Sequence, residues 1–535
     1  MRIRSVYIGK FKNLCDFHIR FSDEKRSWVT VILGWNGAGK SNLIEAIVII
    51  FRELDLNQAP SFAYRIEYEC SDSIVEIDAV DKVDATMPAA TKDIHPVISG
   101  NKVSFKRFCS DEYVAQRPGH VFGYYSGPSN RLEEHFEEHQ KRFYRSLLDG
   151  DEKPLRRLFY ARPVHANFVL LSFFSKPSGE SSKFLEDLLG IEAFESALFV
   201  MRQPPWYSKS PKREAKAKGD SRFWFARGVV KNFLATLFET ALAPMYLPRK
   251  VDVEFQNQKK NVDHLYLFIR NKSDLRKLRK GYGTQAEFFK VLESTYLSKL
   301  LVEVRVRVRI RGLDGSLVFR ELSEGEQQLL TVLGLLEFTK EQQSLFLLDE
   351  PDTHLNPAWS IRYLGLLEEI LTEKDRSHVM VATHDPLFIS GLDKEQVRVL
   401  RREESQRRIT SFEPDESPRG MGVVGLLTSE MFGLRSDLDA ATLKMIDDKV
   451  KLTTKRENLT PKQQRDLEKI DSELDRLGLL NTFSDPYYMA FLKGLSRRRS
   501  GMKLFRQSKY SKDEIKEQEE LVDEILAEAE DSSGQ

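Results

Sequence analysis

Gly34-Trp-Asn-Gly-Ala-Gly39-Lys40-Ser41 has the spacing G-x-x-x-x-G-K-[ST], between a continuous apolar run, Trp28–Leu33, and a helical pattern over Ser41–Phe51. Glycines let such a backbone curl, so that N–H groups of Gly37, Ala38 and Gly39 at a helix N-terminus can surround phosphate oxygens. Lys40 would neutralise β/γ-phosphate charge and Ser41 would ligate Mg²⁺. Motif and context agree, which disfavours a mere glycine-rich turn. The expected cofactors are ATP and Mg²⁺. A second constellation lies in Leu345-Phe-Leu-Leu-Asp349-Glu350, an apolar strand ending in two acids. Asp349 is placed to hold Mg²⁺ through water, and Glu350 to polarise an attacking water as general base. His384, after the next apolar strand, would arrive as a sensor of the γ-phosphate. Alone, each of these fits a solvated strand end or a satisfied loop histidine; with the glycine loop they form an ordered set.

The elements that must position these groups follow from pattern. Ile3, Phe17, Ile19 and Phe21 alternate with polar neighbours, and Trp28–Leu33 reads as a buried central strand. Later come a strand at Val302–Arg311, helix Ser323–Lys340, strand Ser344–Leu348, helix Pro357–Thr372 and strand His378–Ala382. This βαβ alternation predicts an α/β head with a mixed, mostly parallel sheet split by an insertion. The expected organisation is an N-terminal head lobe over 1–54, an inserted α+β region over 55–300, a second head lobe over 301–412, a helical partner-binding region over 413–492, and a tail over 493–535. Within the insertion, strands are expected near Ser73–Val80 and Lys102–Phe108, and helices near Glu133–Leu148, Phe184–Val200 and Phe223–Thr240. A breaker cluster, Gln203–Asp220, reads as a long surface loop. Two helices, Leu438–Leu452 and Pro461–Leu480, form a predicted hairpin, the second opened by a capping box of Thr460 and Gln463.

Composition bounds the class. The chain has 535 residues, 41% hydrophobic and 30% charged, which is a globular composition. Cys15, Cys70 and Cys109 form no CxxC pair, fitting a reducing compartment. No apolar window approaches a membrane span, so a soluble cytoplasmic protein is expected. Lys+Arg at 82 against Asp+Glu at 81 leaves a net charge of +1. That balance conceals blocks: Lys493–Lys509 holds seven basic and no acidic residues, and Ser511–Gln535 holds ten acidic and two basic.

Leu322-Ser323-Glu324-Gly325-Glu326-Gln-Gln328, just upstream of the acidic strand, resembles the signature of ABC ATPases. The resemblance implies that Ser323, Gly325 and Glu326 complete the nucleotide site of an opposite subunit, so that two chains clamp ATP between them. Glu350–Pro357 resembles the loop that reports across such a dimer. Phe11-Lys12-Asn13 and Asn36 are similar to elements of the SMC/RecF/OLD branch, which implies that Lys12 and Asn13 approach the phosphates. The insertion is too short and irregular for an SMC coiled-coil arm, and no Toprim acid pattern follows His384, so no nuclease activity of its own is expected. The magnesium-contacting glutamine of the branch has no clear match; Gln58 and Gln116 are candidates.

Three flanking segments, Phe159–His165, Gly425–Gly433 and Phe483–Tyr488, resemble the PtuA family of Septu and retron-linked antiphage systems. The resemblance implies an ATPase that holds or releases an HNH nuclease of the PtuB type, in retron versions also with a reverse transcriptase and its multicopy single-stranded DNA. The alternatives are a RecF-like DNA repair or clamp ATPase, and an ATP-locked scaffold with negligible turnover.

Other features have two readings each. His135-Phe-Glu-Glu-His139 fits a zinc-binding H-x-x-E-H, but no third ligand is evident and a solvated helix is favoured. Arg305, Arg307, Arg309 and Arg311 alternate with apolar residues, giving a strand whose arginines either bind phosphate backbone or pair with acids. The loop cations Lys209, Lys212, Arg213, Lys216 and Lys218, with Arg497–Arg499, Lys503 and Arg506 in the tail, are candidate nucleic-acid contacts.

Overall fold

The computed structural model describes residues 1–21, 28–149, 157–175, 185–187, 189–208, 217–253, 258–312, 317–339, 343–371, 377–403, 408–453 and 459–477. Phe483–Tyr488, both halves of the charged tail, and Lys209, Lys212, Arg213 and Lys216 lie outside the described residues.

The chain divides into two compact units, Met1–Arg435 and Ser436–Gln535. At the centre of the first is a seven-stranded sheet ordered β18-β17-β3-β16-β15-β8-β9. Its strands are β3 (Val29–Gly34), β8 (Val121–Tyr125), β9 (Leu158–Tyr160), β15 (Leu345–Asp349), β16 (His378–Thr383), β17 (Val397–Arg402) and β18 (Ile409–Phe412). All neighbours pair in parallel except β17 with β18. Every residue of β3, β15 and β16 is buried, as a sheet covered on both faces demands.

Helix α1 (Lys40–Leu56) covers one face. It is buried almost all round because a second sheet lies beyond it, ordered β2-β1-β4-β5-β6-β7. These strands are β1 (Arg2–Phe11), β2 (Leu14–Arg20), β4 (Tyr64–Cys70), β5 (Ser73–Asp78), β6 (Val97–Ile98) and β7 (Asn101–Lys102). Ile3, Val6 and Ile8 from that sheet share a core with Ile44 and Ile47 of α1 and with Ile32, Leu345 and Met380 of the central sheet. Val31, Leu348 and Val381, pointing the other way, join the larger core. That core includes the helices α2 (Glu137–Asp149), α3 (Val164–Phe174), α4 (Gly228–Thr240), α5 (Lys272–Arg279), α6 (Gln285–Leu297), α7 (Glu324–Thr339) and α8 (Pro357–Ile370). It also includes a third sheet ordered β11-β12-β10-β13-β14. Its strands are β10 (Ile191–Arg202), β11 (Leu242–Val253), β12 (Gln258–Ile269), β13 (Leu301–Ile310) and β14 (Leu317–Val318). The second unit contains α9 (Ala440–Thr453) and α10 (Pro461–Arg476), joined by an ion pair from Lys449 to Asp471 at 2.8 Å. Thr460 and Gln463 form the predicted capping box.

The α/β class and the central alternation are as expected, but several local expectations change. Phe184–Val200 is not one helix: β10 occupies Ile191–Arg202, because pairing with β12 and β13 on both sides outweighs the helix-favouring Glu, Ala and Leu. Near Lys102–Phe108 only Asn101–Lys102 is strand, and Phe105–Phe108 is a helical turn. The 55–300 stretch is distributed over all three sheets, with β8 and β9 inside the central one. The strand expected at Val302–Arg311 is β13, paired antiparallel to β10 outside the central sheet. Its arginines alternate with buried Val304, Val306 and Val308, and three pair with acids: Arg305 with Glu303, Arg309 with Glu195, and Arg311 with Glu186 and Glu192. Among the described residues no helix is long and apolar enough to cross a membrane.

Candidate functional site

Parallel pairing aligns the C-terminal ends of β3, β16 and β15: Leu33 is level with Thr383, and Ala382 with Asp349. The loops that leave these ends therefore emerge side by side, where open α/β sheets bind ligands. They carry the glycine loop, His384, and Asp349-Glu350.

The glycine loop has the conformation its residues allow. Gly37 and Gly39 adopt φ of 81° and 89°, and a side chain added at Gly37 would meet open space. At Gly34 a Cβ would come within 2.6 Å of the Leu400 carbonyl oxygen, so only glycine lets β17 pass this close. Ala38 is buried, whereas Trp35, Asn36 and Gly37 are exposed. Lys40 is buried and its Nζ donates to the carbonyls of Gly34 at 2.7 Å and Trp35 at 3.4 Å. Burial lowers the Lys40 pKa, against the raising influence of Glu350, Asp349 and Asp352. Trp35 Nε1 donates to the Phe432 carbonyl at 2.8 Å, tying the Gly425–Gly433 segment to the loop.

Ser41 Oγ donates to Asp349 Oδ1 at 3.1 Å, joining the start of α1 to the end of β15. Burial pushes the Asp349 carboxyl up to about 6; the Ser41 bond opposes this and Glu350 adds to it. A hydroxyl and a buried carboxylate in contact are hard oxygen donors of the kind Mg²⁺ takes. Glu350, at φ 52°, is in the left-handed region, and its N–H donates to the Ala382 carbonyl at 2.8 Å. That turn points its carboxylate at His384, with Oε1 3.2 Å from Nδ1. Strain at a non-glycine residue of this kind is characteristic of working sites.

Two loops from the same edge complete the surroundings. Asp352 is buried, and its Oδ2 accepts from Thr383 Oγ1 at 2.6 Å, while Thr383 Oγ1 accepts from the Asp385 N–H at 2.9 Å. Burial raises the Asp352 pKa. After β8, the Ser126 N–H donates to the Asp349 carbonyl at 3.3 Å, and its hydroxyl meets Thr353 Oγ1 at 2.8 Å. Ser323 is exposed; its N–H and hydroxyl donate to Glu326 Oε2 at 2.8 and 2.7 Å, fixing the start of α7. Gly325 is buried against the His354 carbonyl in the loop after Glu350. Gln328 of α7 donates to the Pro351 carbonyl. A cavity of about 760 Å³ lies between this helix start and the Tyr124–Asn130 loop, lined also by Tyr160, Arg162 and His354.

Lys12 and Asn13 form the two-residue turn between β1 and β2. Asn13 Nδ2 donates to the Gly37 carbonyl at 3.0 Å, so it does touch the glycine loop. Lys12 Nζ instead contacts both Glu45 oxygens at 2.6 Å. Gln58 sits just past the C-terminus of α1, ~25 Å along the helix from the glycine loop at 1.5 Å per residue. Gln116 precedes β8, at the opposite edge of the sheet from Asp349. Neither is brought to the site.

Sequence reasoning passed over Glu45, Arg131, Asp352 and Thr383. Glu45 had a signal: it is a charge inside the apolar run Leu43–Phe51 of a buried helix, where an unpaired acid would be costly. His135 and His139 do not lie on a solvated face as expected: His135 meets Glu45 at 3.0 Å and buried His139 meets Asp55 at 2.9 Å, fastening their segment to α1. No group of three metal-ligating side chains occurs among the described residues.

The chain is 25% identical over 204 residues to the Septu protein PtuA of Bacillus mycoides (strain KBAB4), a match covering 36% of this chain and 28% of that protein. It therefore spans well under half the length of that relative. Residues 29–390, from the first residue of β3 to just past His384, match the family described as "AAA domain, putative AbiEii toxin, Type IV TA system". This match takes in the glycine loop, the acidic strand end and the histidine, and the chain belongs to that AAA-domain family.

Proposed function

We propose that this chain is an ABC-class ATPase that hydrolyses ATP to ADP and phosphate, assembles as an ATP-sandwich dimer or higher oligomer, and governs a partner nuclease in antiphage defence. One observation carries the reading: the adjacent ends of β15 and β16 place Ser41 on Asp349 and Glu350 opposite His384, beside the glycine loop. In this reading Gly34, Asn36, Gly37, Ala38, Gly39 and Lys40, with Asn13 and Lys12 nearby, bind the phosphates. Ser41 and Asp349 hold Mg²⁺, which when bound screens phosphate charge. Glu350 takes a proton from water as its oxygen attacks the γ-phosphorus; the bond to the β-phosphate oxygen breaks and ADP leaves. His384 orients Glu350 and reads the γ-phosphate. Ser323, Gly325 and Glu326, exposed or packed at one helix N-terminus, face the nucleotide of a second copy.

The likeness to the Septu protein supports the partner part of the proposal: an HNH nuclease of the PtuB type, and in a retron setting a reverse transcriptase with its multicopy DNA. In that setting the 413–492 region contacts the partner. Co-expression with the neighbouring genes, followed by sizing with and without ATP, tests it. A nuclease-containing assembly whose size depends on nucleotide is the expected result; a monomer under every condition would defeat it.

A further inference from the structure

Glu45, near the glycine loop, is a buried charge that meets Lys12, Arg131 and His135. It lies on α1, one turn beyond Ser41, with its side chain 5% exposed. Lys12 Nζ is 2.6 Å from both of its oxygens. Arg131 reaches Oε2 through Nη2 at 2.7 Å and Nε at 3.2 Å. His135 Nε2 is 3.0 Å from Oε1. Because Arg52 can only donate, and its Nη1 is 3.0 Å from His135 Nδ1, that nitrogen accepts, and Nε2 bears the hydrogen and donates to Glu45 Oε1. Burial raises the Glu45 carboxyl, but the bonds from His135, Lys12 and Arg131 outweigh it and hold the group at about 2, so it is a carboxylate at any physiological pH.

The network continues to the loop itself. Arg131 Nη2 donates to Asn42 Oδ1 at 2.5 Å, Asn42 Nδ2 donates to Asn13 Oδ1 at 2.5 Å, and Asn13 Nδ2 donates to the Gly37 carbonyl at 3.0 Å. Arg131 is also close enough to Asp349 to lower its pKa. Lys12 occupies a strained position: φ is 52° at the first residue of a two-residue hairpin turn, where glycine is the usual choice. Nearly half of the Lys12 side chain is exposed. The ammonium is thus on a long, partly solvated stem, held on its carboxylate, and the next residue, Asn13, touches the glycine loop.

Resting on the nucleotide-site reading above, we propose that Glu45 is a positioning residue that stores Lys12 and Arg131 on one buried carboxylate at the flank of the glycine loop, where an incoming triphosphate competes for them. The carboxylate restrains two cations that would otherwise act on the phosphates, and so sets nucleotide affinity. A purely structural Glu45 would only weaken binding when altered.

The test is nucleotide affinity of the full chain, read with a fluorescent ATP analogue, in Glu45→Gln, Lys12→Met, Arg131→Gln and the double variants. Glu45→Gln keeps the shape and removes the charge, freeing both cations; it is expected to bind about three- to tenfold more tightly, the scale of one charge interaction screened nearly as in water. Adding either Lys12→Met or Arg131→Gln should reduce that gain, and either alone should weaken binding. Unchanged or weaker binding by a folded Glu45→Gln, or a gain that persists undiminished in both double variants, overturns the proposal. If Glu45→Gln does not fold, the two single cation variants decide: unaltered affinity in both overturns it. If the native chain binds no ATP, the site reading itself has failed; if it does, the variants judge Glu45 alone.

Discussion

Gly325 stands so close to His354 that a Cβ on the glycine would come within 2.4 Å of that residue's carbonyl oxygen. The start of α7 and the loop after Glu350 are thereby one packed surface, reinforced by the His354–Glu324 contact at 3.4 Å. Because the obstructing atom is backbone, Gly325→Ala must push the two segments apart. The glycine loop lies elsewhere, so ATP binding by the single chain should persist, while ATP-driven association and phosphate release fall at least about tenfold. Light scattering with and without ATP, alongside phosphate release, checks this; full association would refute the trans role of this helix start.

Glu350 is the proposed proton acceptor and faces His384 at 3.2 Å. Glu350→Gln keeps the side chain's shape but removes its basicity, so turnover should drop by about 10²–10⁴-fold with nucleotide binding retained. His384→Ala should lower kcat with a smaller change in KM. Turnover equal to the native chain in Glu350→Gln would favour a scaffold that does not hydrolyse.

His378 ties the N-terminal sheet to the central one. Its Nδ1 accepts the Ile3 N–H at 3.2 Å, so Nε2 carries the proton and donates to Thr30 Oγ1 at 3.0 Å. Burial, with Arg2 and the N-terminus adding to it, lowers the pKa from 6.5 to about 3. The folded chain therefore refuses a proton that the unfolded chain accepts below pH 6.5. The stability from this neutral histidine is complete above that pH and falls by up to ~1.4 kcal/mol per pH unit on acidification towards 3. Thermal unfolding between pH 7 and 4 should show this slope, and a variant lacking the histidine, such as His378→Gln, should show less of it.

Packing offers a test that leaves the site alone. A Cβ on Gly334 of α7 would lie 2.1 Å from Val169 Cγ1 on α3. The alanine's helix propensity would gain ~1 kcal/mol, but overpacking against a stiff β-branched residue costs about 1–3 kcal/mol. Gly334→Ala should therefore lower the melting temperature by a few degrees and leave ATP affinity unchanged.

How much was legible in the sequence follows the range of the interactions involved. The glycine loop, Asp349-Glu350 and His384 could be read directly, because each sits at the end of an apolar strand and a strand end has one place in a parallel sheet. The capping box of Thr460 with Gln463 was likewise local. Glu45, Arg131 and the Asp352–Thr383 pair were not, since their partners lie 86 and 31 residues away and no short spacing records such pairings. The same holds for His135 and His139, read as part of a solvated helix, whose carboxylate partners Glu45 and Asp55 on α1 lie more than eighty residues away. Tertiary pairing also turned an expected helix into β10 and brought β8 and β9 into the central sheet. Sequence alone determined which residues have the types and spacing that suit phosphate chemistry. Only the folded sheet decided which of them meet, because alignment of strand ends and burial of charge are properties of neighbours distant in the chain.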